Sequence, residues 1–157
     1  PRIDALILPG GESTTMSRLL RLGGMIEPLR EAIQGGLPAF GTCAGMIMLA
    51  SDILDTRPDA RHLDALDITV RRNAFGRQVD SFETDLTVEG FDTTTHATFI
   101  RAPRVVEVGP AARTIATLDD GAVVAVRQGR LLGTAFHPEV SGETRFHEMF
   151  LDTVRAA

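Results

Sequence analysis

Gly41-Thr42-Cys43-Ala44-Gly45 sets the chain's single cysteine between two glycines, after the apolar stretch Leu37-Pro38-Ala39-Phe40 and before an apolar run over 46–50. A G-x-C-x-G at a strand-to-helix junction matches the geometry of a nucleophile elbow. Flanking glycines permit a tight turn that lifts the side chain out of the sheet. The N–H of the following residue then points where an oxyanion would form. The plainer alternative is an unpaired cysteine acting as a small buried hydrophobe. An elbow alone does not ionise the thiol. Free cysteine titrates near ~8.5, and a helix N-terminus contributes roughly 0.3–1 kcal/mol, less than one pKa unit. Nucleophilic chemistry at Cys43 therefore calls for an imidazole.

Four histidines compete for that role. His62 falls in a polar loop, His96 in a threonine-rich stretch and His147 on the last helix, where solvated or packing roles suffice. His137 differs, because Phe136-His137-Pro138-Glu139 follows a predicted strand over 131–136. Ligands gather at the carboxyl ends of strands in α/β sheets. Residues i and i+2 of an extended segment share a face, so Glu139 can reach the side that His137 occupies. Cys43, His137 and Glu139 thus supply nucleophile, base and orienting carboxylate. A turn histidine beside a surface acid is the simpler reading of the pair.

Two further segments carry candidate groups. Leu8-Pro9-Gly10-Gly11-Glu12-Ser13 ends a strand and opens a helix. Glu12 and the absence of lysine argue against a phosphate there. A backbone oxyanion donor at Gly11 fits better, although a plain turn accounts for the segment equally well. The basic stretch over 71–77 reads as a solvated loop or as a clamp for a substrate carboxylate. It is too short and isolated for nucleic acid. No H-E-x-x-H, EF-hand or G-x-G-x-x-G pattern is present, so neither a metal nor a cofactor is expected.

Composition narrows the classes. The 157 residues are 43% hydrophobic, which suits one domain with its own core. No apolar run reaches the ~18 residues of a membrane span. All 16 cations are arginines against 21 acids, for a net charge of −5, which disfavours nucleic-acid and anionic-membrane partners. Without lysine, Schiff-base chemistry and a lysine-bearing P-loop are excluded. One cysteine excludes an internal disulfide and a multi-cysteine metal site. No signal-peptide pattern is visible, so a cytoplasmic location is expected.

These groups need a scaffold. Residues 3–8 read as a buried strand. A helix follows with Ser13 as N-cap and Met16, Leu19 and Leu20 at helical spacing, stopped by Gly23-Gly24. A second helix over 26–33 closes at Gly35-Gly36, then come the strand over 37–40 and the helix over 46–50. Strand and helix in alternation predict a parallel sheet with crossover helices. Residues 55–64 read as a loop. Strands are then predicted over 66–70, 82–88, 98–101, 105–108, 114–118, 123–127 and 131–136. A final helix spans 143–155, with Phe146, Met149, Phe150 and Val154 on one face. The expected architecture is one α/β domain over 1–157 with antiparallel strands added after the second crossover. Pro1 leads almost directly into an apolar run, which predicts an upstream lead-in.

The chain as a whole resembles the class I (triad) glutamine amidotransferases, and among them the glutaminase subunits of glutamine-dependent pyridoxal 5′-phosphate synthase (the PdxT/SNO family). The agreeing stretches are LILPGGESTTM (6–16), GTCAGMIMLA (41–50), RNAFGRQVDSFE (72–83), FIRAP (99–103) and FHPE (136–139). GTCAG and HPE fit many amidotransferases, whereas RNAFGRQVDSFE with FIRAP narrows the resemblance to this subunit. It implies a three-layer, Rossmann-like (flavodoxin-like) α/β domain with a mostly parallel central sheet and extra antiparallel strands. It implies that Cys43, His137 and Glu139 hydrolyse L-glutamine to glutamate and ammonia through a glutamyl thioester. Implied glutamine contacts are Gly11, Glu12, Ser13, Arg72, Ile100 and Arg101, with Gly11 and Ala44 N–H groups as oxyanion donors. The implied partner is the synthase subunit, a (β/α)8 barrel in a large hetero-oligomer that receives the ammonia and activates the glutaminase on docking. Family members begin with a further strand–helix–strand unit, on the order of 30 residues, which is expected to precede Pro1. The alternatives are a glutaminase of histidine or nucleotide synthesis, and a non-catalytic binding module that keeps the fold.

Overall fold

Strand and helix alternate through the first third of the chain, as the hydrophobic spacing predicts. The computed structural model describes residues 2–72 and 81–157. In chain order, β1 (Leu6–Leu8), α1 (Ser13–Leu22), α2 (Ile26–Gln34), β2 (Ala39–Thr42), α3 (Ala44–Leu49) and β3 (Ala50–Ile53) are followed by β4 (Leu66–Arg71) and β5 (Ser81–Leu86). Then come β6 (Thr95–Ile100), β7 (Arg104–Val108), β8 (Arg113–Thr117), β9 (Val123–Gln128), β10 (Leu131–Thr134) and α4 (Arg145–Arg155). The main sheet runs β1-β2-β10-β9-β7-β4-β3, with β8 paired to β9, and β5-β6 form a separate two-stranded ribbon. β1, β2 and β10 are parallel, while β9 is antiparallel to β10, β7 and β8. The α/β class, with parallel central strands and added antiparallel ones, is therefore the expected one.

Several details depart from the sequence expectations. The strand expected to be buried over 3–8 forms only over Leu6–Leu8, with Ile3 and Ile7 exposed. α1 forms where predicted, but Ser13 and Ser17 are its buried residues and Leu19 is exposed. Ser17 Oγ accepts the Arg61 N–H at 2.6 Å, so a hydrogen bond decides which face turns inward. β3 was not anticipated. All of α3 is buried and so carries no periodic signal, and β3 follows it without a turn. β10 ends at Thr134 and not at Phe136; the Ala135 N–H still donates to the Val124 carbonyl of β9 at 2.8 Å, and the Thr134 hydroxyl donates to the Phe136 carbonyl at 3.0 Å where the ladder stops.

The core beneath the C-terminal strand ends is aromatic. Phe99 lies 4.5 Å from Phe82 in a stacked pair and 5.4 Å from Phe136, which meets Phe146 of α4 at 5.1 Å. These rings join the β5–β6 ribbon to the segment just before His137, and each such pair adds about 0.5–1.5 kcal/mol beyond its area. Among the described residues no helix is long and apolar enough to cross a membrane.

Candidate active site

Strand register brings three loops to one place. Gly41 pairs with Gly133 and Thr42 with Thr134 between β2 and β10, and Leu8 of β1 pairs with Gly41. Three adjacent parallel strands therefore end at the same level. They deliver Gly10-Gly11, Cys43 and the segment 135–139 to one edge, and the Cys43 N–H donates to the Thr134 carbonyl at 2.8 Å. The elbow's backbone strain sits on the cysteine itself, at φ 50° and ψ −108°. A non-glycine residue in such a region costs about 1–3 kcal/mol and persists only where the surroundings enforce it. The two flanking glycines provide that enforcement by close approach. A Cβ on Gly45 would lie 1.9 Å from the Leu8 carbonyl oxygen, and one on Gly41 would lie 2.4 Å from that of Gly45.

His137 is held from two sides. Its Nδ1 hydrogen-bonds Glu139 Oε1 at 2.8 Å, and its N–H donates to the Thr98 carbonyl of β6 at 3.0 Å. The carboxylate on Nδ1 fixes the tautomer in which Nε2 is the free ring nitrogen. The ring lies against Gly10, where an added Cβ would fall 2.2 Å from Cε1. Burial pushes the Cys43 thiol above its usual range. The Ala44 N–H opposes this, and the negative charge of Glu139 adds to it. The thiol is thus protonated at neutral pH, and among the described residues its hydrogen-bond acceptor is the Ile100 carbonyl at 3.8 Å.

The remaining predicted residues fall around this edge. Gly11 is exposed with φ 148°, and Ser13 is buried as the first residue of α1. The N-cap of α1 is Glu12 and not Ser13, because the longer carboxylate reaches the N–H groups of Thr14 at 3.0 Å and Thr15 at 2.8 Å. Both threonine hydroxyls also donate to it, and the Thr14 hydroxyl leads in lowering its pKa to about 2. Arg72 reaches from the end of β4 to Glu12 at 3.4 Å, while its N–H donates to Asp55 Oδ1 at 2.6 Å. Arg101 has φ 46°, a left-handed conformation directly after the carbonyl that meets Cys43. Residues 73–80, and with them most of RNAFGRQVDSFE and of the basic stretch over 71–77, lie outside the described residues.

The other histidines are engaged elsewhere. His62 Nδ1 bonds the Ala50 carbonyl at 2.7 Å, His96 pairs with Asp85 at 2.9 Å, and His147 packs on Phe40 at 5.4 Å. Sequence reasoning overlooked Gly10, whose only signal was its place in Pro9-Gly10-Gly11. It also overlooked Thr98, which acts through a main-chain carbonyl and leaves no signal in residue type.

The profile of the SNO glutamine amidotransferase family matches residues 1–156. The chain belongs to the SNO glutamine amidotransferase family. A relative from Corynebacterium jeikeium (strain K411), named pyridoxal 5′-phosphate synthase subunit PdxT, is 64% identical over 98% of this chain and 78% of its own length. A relative of the same name from Mycobacteroides abscessus is 60% identical over 99% of this chain and 80% of its own. A crystal structure described as a glutamine amidotransferase superposes with a TM-score of 0.90 at 45% identity, covering 97% of this chain and 79% of that one. The strand-end site above is thus part of a fold that this family shares.

Proposed function

We propose that this chain is the glutaminase of a pyridoxal 5′-phosphate synthase, hydrolysing L-glutamine to L-glutamate and ammonia with Cys43, His137 and Glu139. The observation that carries it is the 2.8 Å His137–Glu139 hydrogen bond at the strand edge that also bears the Cys43 elbow. Family membership and the names of the relatives support the substrate and the pathway.

Cys43 Sγ attacks the side-chain carboxamide carbon as His137 Nε2 takes the thiol proton. The resulting oxyanion accepts N–H bonds from Ala44 and Gly11, each such donor being worth about 2.7–4 kcal/mol of barrier. Collapse breaks the C–N bond, and His137 returns the proton to the departing ammonia. Water, deprotonated by the same imidazole, then cleaves the glutamyl thioester and restores the thiol. Glu139 holds the imidazole tautomer and stabilises its cation. Arg72, Ser13, Ile100 and Arg101 line the substrate side, where an arginine suits the α-carboxylate of glutamine. Burial raises the thiol's pKa, so transfer of its proton to His137 accompanies the attack. A barrel-type synthase subunit would receive the ammonia.

The test is ammonia release from L-glutamine by the chain with its synthase subunit. Cys43→Ala is expected to lower turnover by about 10³-fold or more while leaving complex formation intact. Retained turnover in that variant would remove Cys43 from the mechanism.

A further inference from the structure

Among the described residues β6 has β5 on one side and no strand on the other. Along its second side, carbonyls two residues apart serve three different groups. The His96 carbonyl accepts Ser141 Oγ at 3.1 Å, that of Thr98 accepts the His137 N–H at 3.0 Å, and that of Ile100 accepts Cys43 Sγ at 3.8 Å. Carbonyls at i, i+2 and i+4 of a strand point the same way, so one edge sets the spacing of all three. β6 therefore touches both the residue that carries the sulfur and the residue that carries the imidazole.

Such an edge fixes a spacing only if the strand cannot shift along its own axis. The fastening is at its first residue. Thr95 is buried, and its hydroxyl donates to Glu143 Oε2. The Glu143 carboxylate also accepts from Arg145, at 2.8 Å from N, 2.9 Å from Nε and 2.6 Å from Nη2. Arg145 goes on to bond the carbonyls of Thr93 at 3.2 Å and Thr94 at 3.1 Å, and its guanidinium lies 4.8 Å above the Phe91 ring. The main chain of Glu143 closes the turn after His137, its N–H donating to the Pro138 carbonyl at 2.9 Å. One cluster thus ties the chain entering β6 to the turn that carries His137 and Glu139.

We infer that Thr95, Glu143 and Arg145 are positioning residues for the glutaminase reaction, locking β6 so that the Thr98 and Ile100 carbonyls hold His137 and Cys43 at a fixed separation. The inference rests on the roles given to Cys43 and His137 above. None of the three touches the reacting atoms. Their effect passes through the register of one strand, where a displacement near 1 Å can cost about 100-fold in rate.

The deciding comparison is Thr95→Val against Thr95→Ser in the full chain with its synthase subunit. Valine keeps the volume and removes the hydroxyl, and serine restores the hydroxyl. Thr95→Val is expected to lower kcat about tenfold with little change in KM, and Thr95→Ser to recover most of the loss. Arg113→Gln, which breaks the exposed Arg113–Glu89 pair (2.7 Å), is expected to behave as the parent. Hydrogen exchange gives a readout independent of turnover. In Thr95→Val the His137 amide, bonded to β6, should exchange faster, while the Cys43 amide, bonded to Thr134, should not. Parental kcat in Thr95→Val, failure of serine to rescue, or a loss that disappears well below the melting temperature overturns the inference. Failure of the parent complex to release ammonia would overturn the proposed function and the catalytic part of this inference. The exchange result would still decide whether the cluster fastens β6.

Discussion

At the C-terminal ends of β1, β2 and β10 the backbone itself does the positioning, whereas along β6 the same task falls to side chains. In the first region the glycines at 41 and 45 bring main-chain atoms into direct contact, and Cys43 takes a strained conformation because nothing around it can yield. In the second, a hydroxyl, a carboxylate and a guanidinium set the strand, bonding mainly one another and, through Arg145, the Thr93 and Thr94 carbonyls. Close-packed backbone resists displacement steeply, while hydrogen bonds give way gradually. The nucleophile thus sits on the stiff side of the site, and the groups that meet it from β6 sit on the adjustable side.

The contrast breaks most severely at Gly45. One methyl group there would meet the Leu8 carbonyl at 1.9 Å, so β1 and α3 must separate. Gly45→Ala is expected to cost about 1–3 kcal/mol, since overpacking a tight contact forces the backbone to shift. Turnover should fall with it, because β1 carries Gly10 and Gly11. Urea unfolding and ammonia release, measured together, check this. Thr95→Val should lower the unfolding midpoint only by the loss of one hydrogen bond to a carboxylate, while its effect on turnover is larger. If Gly45→Ala instead unfolds at the parental midpoint, the stiffness assigned to this region is wrong.

Glu139 tests the junction between the two regions, since it holds a ring whose main chain is fastened to β6. Glu139→Gln keeps the size and loses the charge that stabilises the imidazolium. A fall in kcat of about 100-fold is expected, smaller than for removal of the sulfur. The same substitution removes one of the influences raising the Cys43 thiol, so the pH midpoint for alkylation of Cys43 should move down. A kcat within twofold of the parent would reduce Glu139 to a surface acid.

How much of this was legible in the sequence follows the same division. The stiff region was readable because it depends on residue type. Glycine is required where backbones touch, and apolar strands precede Gly41 and His137. The parallel order of β1, β2 and α3 followed from alternating elements. The register that aligns Cys43 with Thr134 could not be read, because it arises from pairing between segments about 90 residues apart. The adjustable region was largely hidden. The contacts of β6 run through carbonyls that any residue supplies, and Thr95, Glu143 and Arg145 form no recognisable motif. The capping of α1 was misassigned to Ser13 because propensity favours a short hydroxyl, while Arg72 and two threonines favour the Glu12 carboxylate.

Acid separates the two regions with the smallest expected effect, because each contains one depressed carboxylate. Hydrogen bonds from Arg145 hold Glu143 at about 2, and those from Thr14 and Thr15 hold Glu12 at about 2, against an ordinary value of 4.5. A depressed carboxylate adds stability that is fully present above its unfolded-state pKa and is lost as pH falls through the folded one. The contribution of these two carboxylates should therefore be level above about pH 5 and decline between 4.5 and about 2. The Glu143 side chain is only 11% exposed and that of Glu12 is 55% exposed, so solvent screens the second far more. Urea midpoints measured from pH 7 to pH 2 should show Glu143→Gln flattening the acid limb more than Glu12→Gln does. An equal or larger effect at Glu12 would mean that the α1 cap, and not the Thr95–Glu143–Arg145 cluster, carries the acid-sensitive part of the site, and the assignment of the adjustable side to β6 would have to be reversed.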